Sequence, residues 1–77
     1  MDTLISKLKS KYHNQIKEIK TVGKAEISIK IRSEVHAPGF SQDLQDHLIE
    51  IIDELTILQV DILSEDGKLL DSFATNQ

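Results

Sequence analysis

The chain has 77 residues, enough for one domain spanning residues 1–77, and a core of that size supplies only about 3–5 kcal/mol by itself. It has no cysteine, which excludes disulfides and thiolate metal sites and leaves a second subunit as the expected staple. The net charge of −4 is unevenly divided: eight basic residues against four acidic ones through Pro38, then Lys68 alone against nine acids. That split predicts a basic and an acidic face on one small body.

Residues ~3–20 read as a basic N-terminal helix. Leu4, Ile5, Leu8, Tyr12, Ile16 and Ile19 recur at spacings of three and four, and Thr3 or Asp2 can cap the start. A heptad reading through Ile5, Leu8, Tyr12, Gln15, Ile19 and Val22 covers fewer than three heptads, with Gln15 on the seam, and does not carry a coiled coil. Residues ~25–32 form the clearest strand. Ala25, Ile27, Ile29 and Ile31 alternate with Glu26, Ser28, Lys30 and Arg32, so one face is buried and the other wet.

Glu34 to Phe40 is expected to be a loop punctuated by Pro38-Gly39, with Ser41 capping a helix that runs to about Leu55. Its inner stripe is Leu44, Leu48, Ile51, Ile52 and Leu55; its outer face carries Asp43, Asp46, Glu50, Asp53 and Glu54. Two strands follow, Ile57–Leu63 and Lys68–Ala74, with Asp66-Gly67 between them as a two-residue type I′ hairpin turn. That register pairs Glu65 with Lys68, Leu63 with Leu70 and Val60 with Phe73. It places Leu58, Val60, Ile62, Leu69 and Phe73 on one face, and Leu63 and Leu70 on the other. The tail from Thr75 is expected to fray.

The expected fold class is thus α/β, an α+β two-layer sandwich in the order α-β-α-β-β. A βαββ unit over residues 25–74 forms a small three-stranded sheet with two helices on one face. The β-α-β segment crosses over right-handed, so its strands run parallel. The run from Ala37-Pro38-Gly39 through the second helix to the Asp66-Gly67 hairpin resembles part of an ACT-type regulatory domain, over about half the chain. That resemblance implies dimerisation or regulation by a small ligand.

Chemistry-bearing patterns are sparse. Ser41 lacks the glycines of a nucleophile elbow, and Gly23, Gly39 and Gly67 lie in separate turns rather than in a phosphate-cradling loop. Asp43, His47 and Glu50 have ligand-like spacing on one helix, but such sets are ordinarily solvated helix faces. No catalytic residue, metal or cofactor is therefore expected, and the chain is read as no enzyme. It has no apolar run that could span a bilayer and no signal-peptide pattern, and is expected to be cytoplasmic.

The expected function is a small protein–protein interaction or regulatory module that self-associates as a homodimer, or docks a protein partner. Asp43, Asp46, Glu50, Asp53, Glu54, Leu63 and Leu70 are its expected contact residues. Open sheet edges invite strand pairing, and Lys30, Arg32 and Asp71 would oppose it. The alternative is nucleic-acid binding through the basic helix, with Lys7, Lys9, Lys11 and Lys17 on phosphates.

Overall fold

The computed structural model describes residues 2–51 and 57–75. The elements run α1 (Asp2–Lys11), β1 (Ile16–Gly23), β2 (Glu26–Ile31), α2 (Ala37–Ile51), β3 (Leu58–Leu63) and β4 (Leu69–Thr75). The architecture is α+β: two helices and a four-stranded mixed sheet in the order β1-β2-β3-β4. The outer pairs are antiparallel hairpins, and β2 and β3 run parallel across the α2 crossover. The order α-β-β-α-β-β replaces the expected α-β-α-β-β, and the sheet has four strands instead of three.

The extra strand lies where the N-terminal helix was expected to continue. The helix stops at Lys11, and a turn closes through the Gln15 and Ile16 amides, both donating to the Tyr12 carbonyl at 2.8 Å. Ile16 and Ile19 are three residues apart, which in a helix places them on one face. In β1 a bulge achieves the same result. Ile16 pairs Ile31 and Glu18 pairs Lys30, so one extra residue enters β1 between them. Ile16 and Ile19 are both buried. The bulged strand therefore carries a helix-like spacing.

The core draws Leu8 and Tyr12 from α1, and Phe40, Leu44 and Leu48 from α2. They pack with Ile27, Ile29 and Ile31 of β2 and Leu58, Val60 and Ile62 of β3. The alternation read in β2 is thus its burial pattern, and Glu26, Ser28 and Lys30 point to the opposite face.

Helix α2 begins at Ala37, four residues earlier than expected. Pro38 sits in its first turn, where its missing amide proton has no helical partner to lose. The Phe40 amide closes that turn on the His36 carbonyl at 2.9 Å. Ser41 is therefore no cap. It is buried inside the helix, and Gln45 Nε2 donates to its Oγ at 3.3 Å. Ile52 and Leu55 of the expected stripe, and Asp53 and Glu54 of the expected acidic face, lie outside the described residues.

The β3–β4 hairpin also differs from expectation. The Ser64 amide donates to the Lys68 carbonyl at 2.8 Å, so Glu65, Asp66 and Gly67 form a three-residue loop. Gly67 alone has positive φ, +94°, whereas a type I′ turn needs two such residues. The longer loop shifts the pairing through a bulge: Leu63 faces Leu69 rather than Leu70, while Val60 still faces Phe73. Leu69, expected on the core face, is exposed. Thr75 does not fray: it is buried, and its Oγ1 accepts the Leu58 amide at 3.0 Å.

Candidate interaction surfaces

The two outer strands end the sheet differently. At the β1 margin, bulges at Ile16/Glu18 and Thr21/Gly23 leave a short regular stretch. Lys17 sits at the first bulge and Lys20 in the regular stretch, and Glu18 Oε1 stands 3.4 Å from Lys30 Nζ and 3.7 Å from Lys20 Nζ. Bulges and lysines are the usual protections of a strand edge. Lys30 and Arg32 themselves belong to β2 and its end, inside the sheet, so they do not guard a margin as the sequence suggested.

At the β4 margin, the sequence LLDSFAT holds one ionisable side chain, Asp71. Pairing with β3 is regular from Asp71 to Thr75, and the bulge is confined to the hairpin end. Leu69 is 63% exposed and Leu70 47%. The Gln59 amide donates to the Ala25 carbonyl at 2.8 Å, so Gln59 and Asp61 turn their backbone groups toward β2. Leu58, Val60 and Ile62 then bond to β4, and their partners Thr75, Phe73 and Asp71 face inward. The backbone groups of Ser72 and Ala74 point out of the sheet. Asp71 Oδ1 accepts the Ser72 amide at 2.8 Å, covering one of them. The Ser41 hydroxyl, together with that amide, holds the Asp71 carboxyl below the usual carboxylate range.

Leu70 lies at the hairpin bulge and lines a cleft of about 380 Å³ with Ile31, Arg32, Val35, Ser64 and Glu65. Glu65 ties this end of the sheet together. Its carboxylate accepts the Ser33 amide at 2.6 Å and Lys17 Nζ at 3.3 Å, and these contacts, the Ser33 amide foremost, hold its carboxyl below the ordinary range. Leu63 is half-buried opposite Leu69.

The acidic residues of α2 do not act as one face. Asp43 turns toward α1, where its Oδ2 accepts the Tyr12 hydroxyl at 2.7 Å. Tyr12 also packs edge-on against Phe40 and His47, with ring centroids 5.2 and 6.1 Å apart. Burial, with the Asp43 bond and charge, pushes the Tyr12 hydroxyl well above its ordinary pKa. Asp46 accepts Gln42 Nε2 at 3.2 Å, and Glu50 is exposed one turn further on. Among the described residues no three His, Asp or Glu side chains stand close enough to share a metal ion. A second cleft, about 430 Å³, opens between the α1–β1 turn and the start of α2, lined by Asn14, Glu34, His36, Phe40 and Asp43.

The lysines named for nucleic acid are not gathered on one surface. Lys7 and Lys11 stand one turn apart on α1, and Lys9 is on another side of that helix. Lys11 Nζ lies 5.5 Å from the Tyr12 ring centroid, and Lys17 is on β1, paired with Glu65. On the sheet face opposite the core, Glu26 and Asp61 share a hydrogen bond that raises the Glu26 carboxyl above its ordinary range. Gln59 Nε2 and the Ser72 hydroxyl also donate to Asp61 Oδ1, at 3.4 and 3.0 Å. No described helix is long and apolar enough to cross a membrane.

No protein-family model matches the chain, and no curated protein or solved structure does. The resemblance to an ACT-type domain thus gains no family match, and its Pro38-Gly39 pair lies inside α2 rather than before it. Sequence reasoning named Leu63 and Leu70 as contact residues and Asp71 as an edge guard; Leu63 is half-buried, Leu70 is exposed, and Asp71 lies on the outer strand, while the exposed Leu69 had been placed on the core face. It also passed over Ile49, 57% exposed on α2, whose signal was an isoleucine standing off the helix's apolar stripe.

Proposed function

We propose that this chain is a non-enzymatic interaction module that self-associates through an open margin of its sheet and, as a homodimer, regulates or adapts another protein. The observation that supports this most is the β4 margin. Outward backbone groups at Ser72 and Ala74 lie beside exposed Leu69 and Leu70, with one carboxylate and no lysine in the strand. An exposed strand edge of this kind adds a further strand readily, through main-chain hydrogen bonds. The small core gives association a second driving force, since a second copy removes apolar surface from water. The dispersal of Lys7, Lys9, Lys11 and Lys17 favours this reading over nucleic-acid binding.

Light scattering on a size-exclusion column across a hundredfold concentration range tests it. The mass should rise from the 8.7 kDa of one chain toward twice that value. A mass fixed at one chain into the high micromolar range would refute it.

A further inference from the structure

We infer that the partner at β4 is the β4 strand of a second copy, paired antiparallel about a two-fold axis at Phe73, with the Ser41–Gln45–Ile49 ridge of α2 lying along the seam. This rests on the reading of the chain as self-associating and adds to it the surface and its register.

The axis follows from the backbone. Ser72 and Ala74 turn their amides and carbonyls outward, and Phe73 between them turns inward. An antiparallel neighbour centred on Phe73 sets Ser72 opposite Ala74 of the second copy as a hydrogen-bonded pair, twice. Phe73 then meets its own copy as the closely spaced pair without hydrogen bonds. It faces the side of the sheet that α2 covers, as its partner Val60 does, and it is half-buried in the single chain. The two-fold stands perpendicular to the sheet, so the product is one eight-stranded sheet whose helices all lie on one side.

The helix above the seam suits this. Ser41 sits beside Asp71 of β4, and Gln45 bonds to Ser41 one turn on. Ile49 continues the same i, i+4, i+8 ridge and is exposed. The ridge carries no charge. Asp43 is on the flank facing α1, and Asp46 and Glu50 lie further round the helix. Two copies of a chain with net charge −4 can therefore meet here without opposing carboxylates. The two Asp71 residues are four positions apart along the paired strands, about 13 Å, beyond the screening length at physiological salt. The β1 strand of a second copy fits this margin poorly, because its two bulges break the ladder and it brings Lys17 and Lys20.

Cysteine pairing tests the register, since the natural chain has no cysteine. Ser72→Cys and Ala74→Cys both place the thiol on the exposed sheet face away from the core. Under mild oxidation, an equimolar mixture of the two variants should form a mixed covalent dimer at least tenfold faster than either alone, because positions 72 and 74 oppose each other across the axis. Fastest linkage of Ser72→Cys to itself would overturn the Phe73 axis. A dimer by light scattering that cross-links at neither position, or links faster through Lys20→Cys on the exposed face of β1, would overturn the β4 surface while leaving self-association standing. A strict monomer would overturn both.

Discussion

The two margins of the sheet are built from the same element type and protected by opposite means. β1 is guarded by shape and charge, with a bulge near each end and lysines along its length. β4 is regular from Asp71 to Thr75 and is guarded by one side chain, Asp71, folded onto the Ser72 amide. Shape is a permanent defence, whereas a single hydrogen-bonded carboxylate can be displaced by a competing acceptor. One free edge of this sheet is thus broken and the other merely covered, and the proposed partner strand is assigned to the covered one.

The largest expected effect lies on the α1–β1 side, where Tyr12 fastens the helix. Tyr12→Ala empties a buried ring site contacting Phe40 and His47 and should cost about 3–5 kcal/mol, as much as the small core supplies, so its cooperative urea transition should be lost. Tyr12→Phe keeps the ring and loses only the bond to Asp43, so it should cost about 1 kcal/mol. Equal losses would mean the ring is not an anchor.

Next in size is the effect of charge at the margins. Ala74→Lys places lysines at the proposed seam and should weaken dimerisation roughly tenfold or more, about 1.4 kcal/mol. Thr21→Lys, on the β1 margin, should leave the dissociation constant unchanged in sedimentation equilibrium. The reverse pattern would move the interface to β1.

A smaller effect is expected from acid. An unfolded glutamate titrates near 4.3 and an aspartate near 3.9. Glu65 and Asp71 are held lower in the folded chain, by Ser33 with Lys17 and by Ser41 with the Ser72 amide. Their stabilisation is complete above those unfolded values and is lost as the pH falls through the lower folded ones. Thermal melts at stepped pH should show this, with a shallower acid loss in Glu65→Gln. An unchanged slope would remove Glu65 as the tie between hairpin and β2–α2 loop.

The smallest expected effect has the opposite sign. Glu26 titrates above its ordinary value because it shares a hydrogen bond with Asp61. That bond stabilises the fold below the unfolded pKa near 4.3 and fades as the pH rises through the folded value. Glu26→Gln should therefore melt slightly higher than the natural chain at pH 7. A lower melting temperature there would contradict the unfavourable pairing of the Glu26 and Asp61 carboxylates.

Much of this architecture was legible because hydrophobic period and burial agree. The Ile27, Ile29, Ile31 alternation, the Leu44 and Leu48 stripe and the Val60–Phe73 pairing survive in the fold. β1 was hidden by its own bulge, which gives Ile16 and Ile19 a helical interval inside a strand. Pro38-Gly39 reads as a loop in any local window, yet the first turn of a helix is where proline costs least. The candidate surface was harder to see. The exposure of Leu69 depended on a hairpin bulge, and which of Lys30, Arg32 and Asp71 guards an edge depended on which strand lay outermost; neither is a property of local sequence.

The most direct test of the contrast between the margins is amide hydrogen exchange followed residue by residue as the protein is concentrated. Ala74 should exchange markedly more slowly at high than at low concentration, while the amides of Ile19 and Thr21, turned outward because their partners Ile29 and Ile27 bond to β3, keep their rates. Slowing at Ile19 and Thr21 with Ala74 unchanged would place the partner on the other side of the sheet and contradict the account.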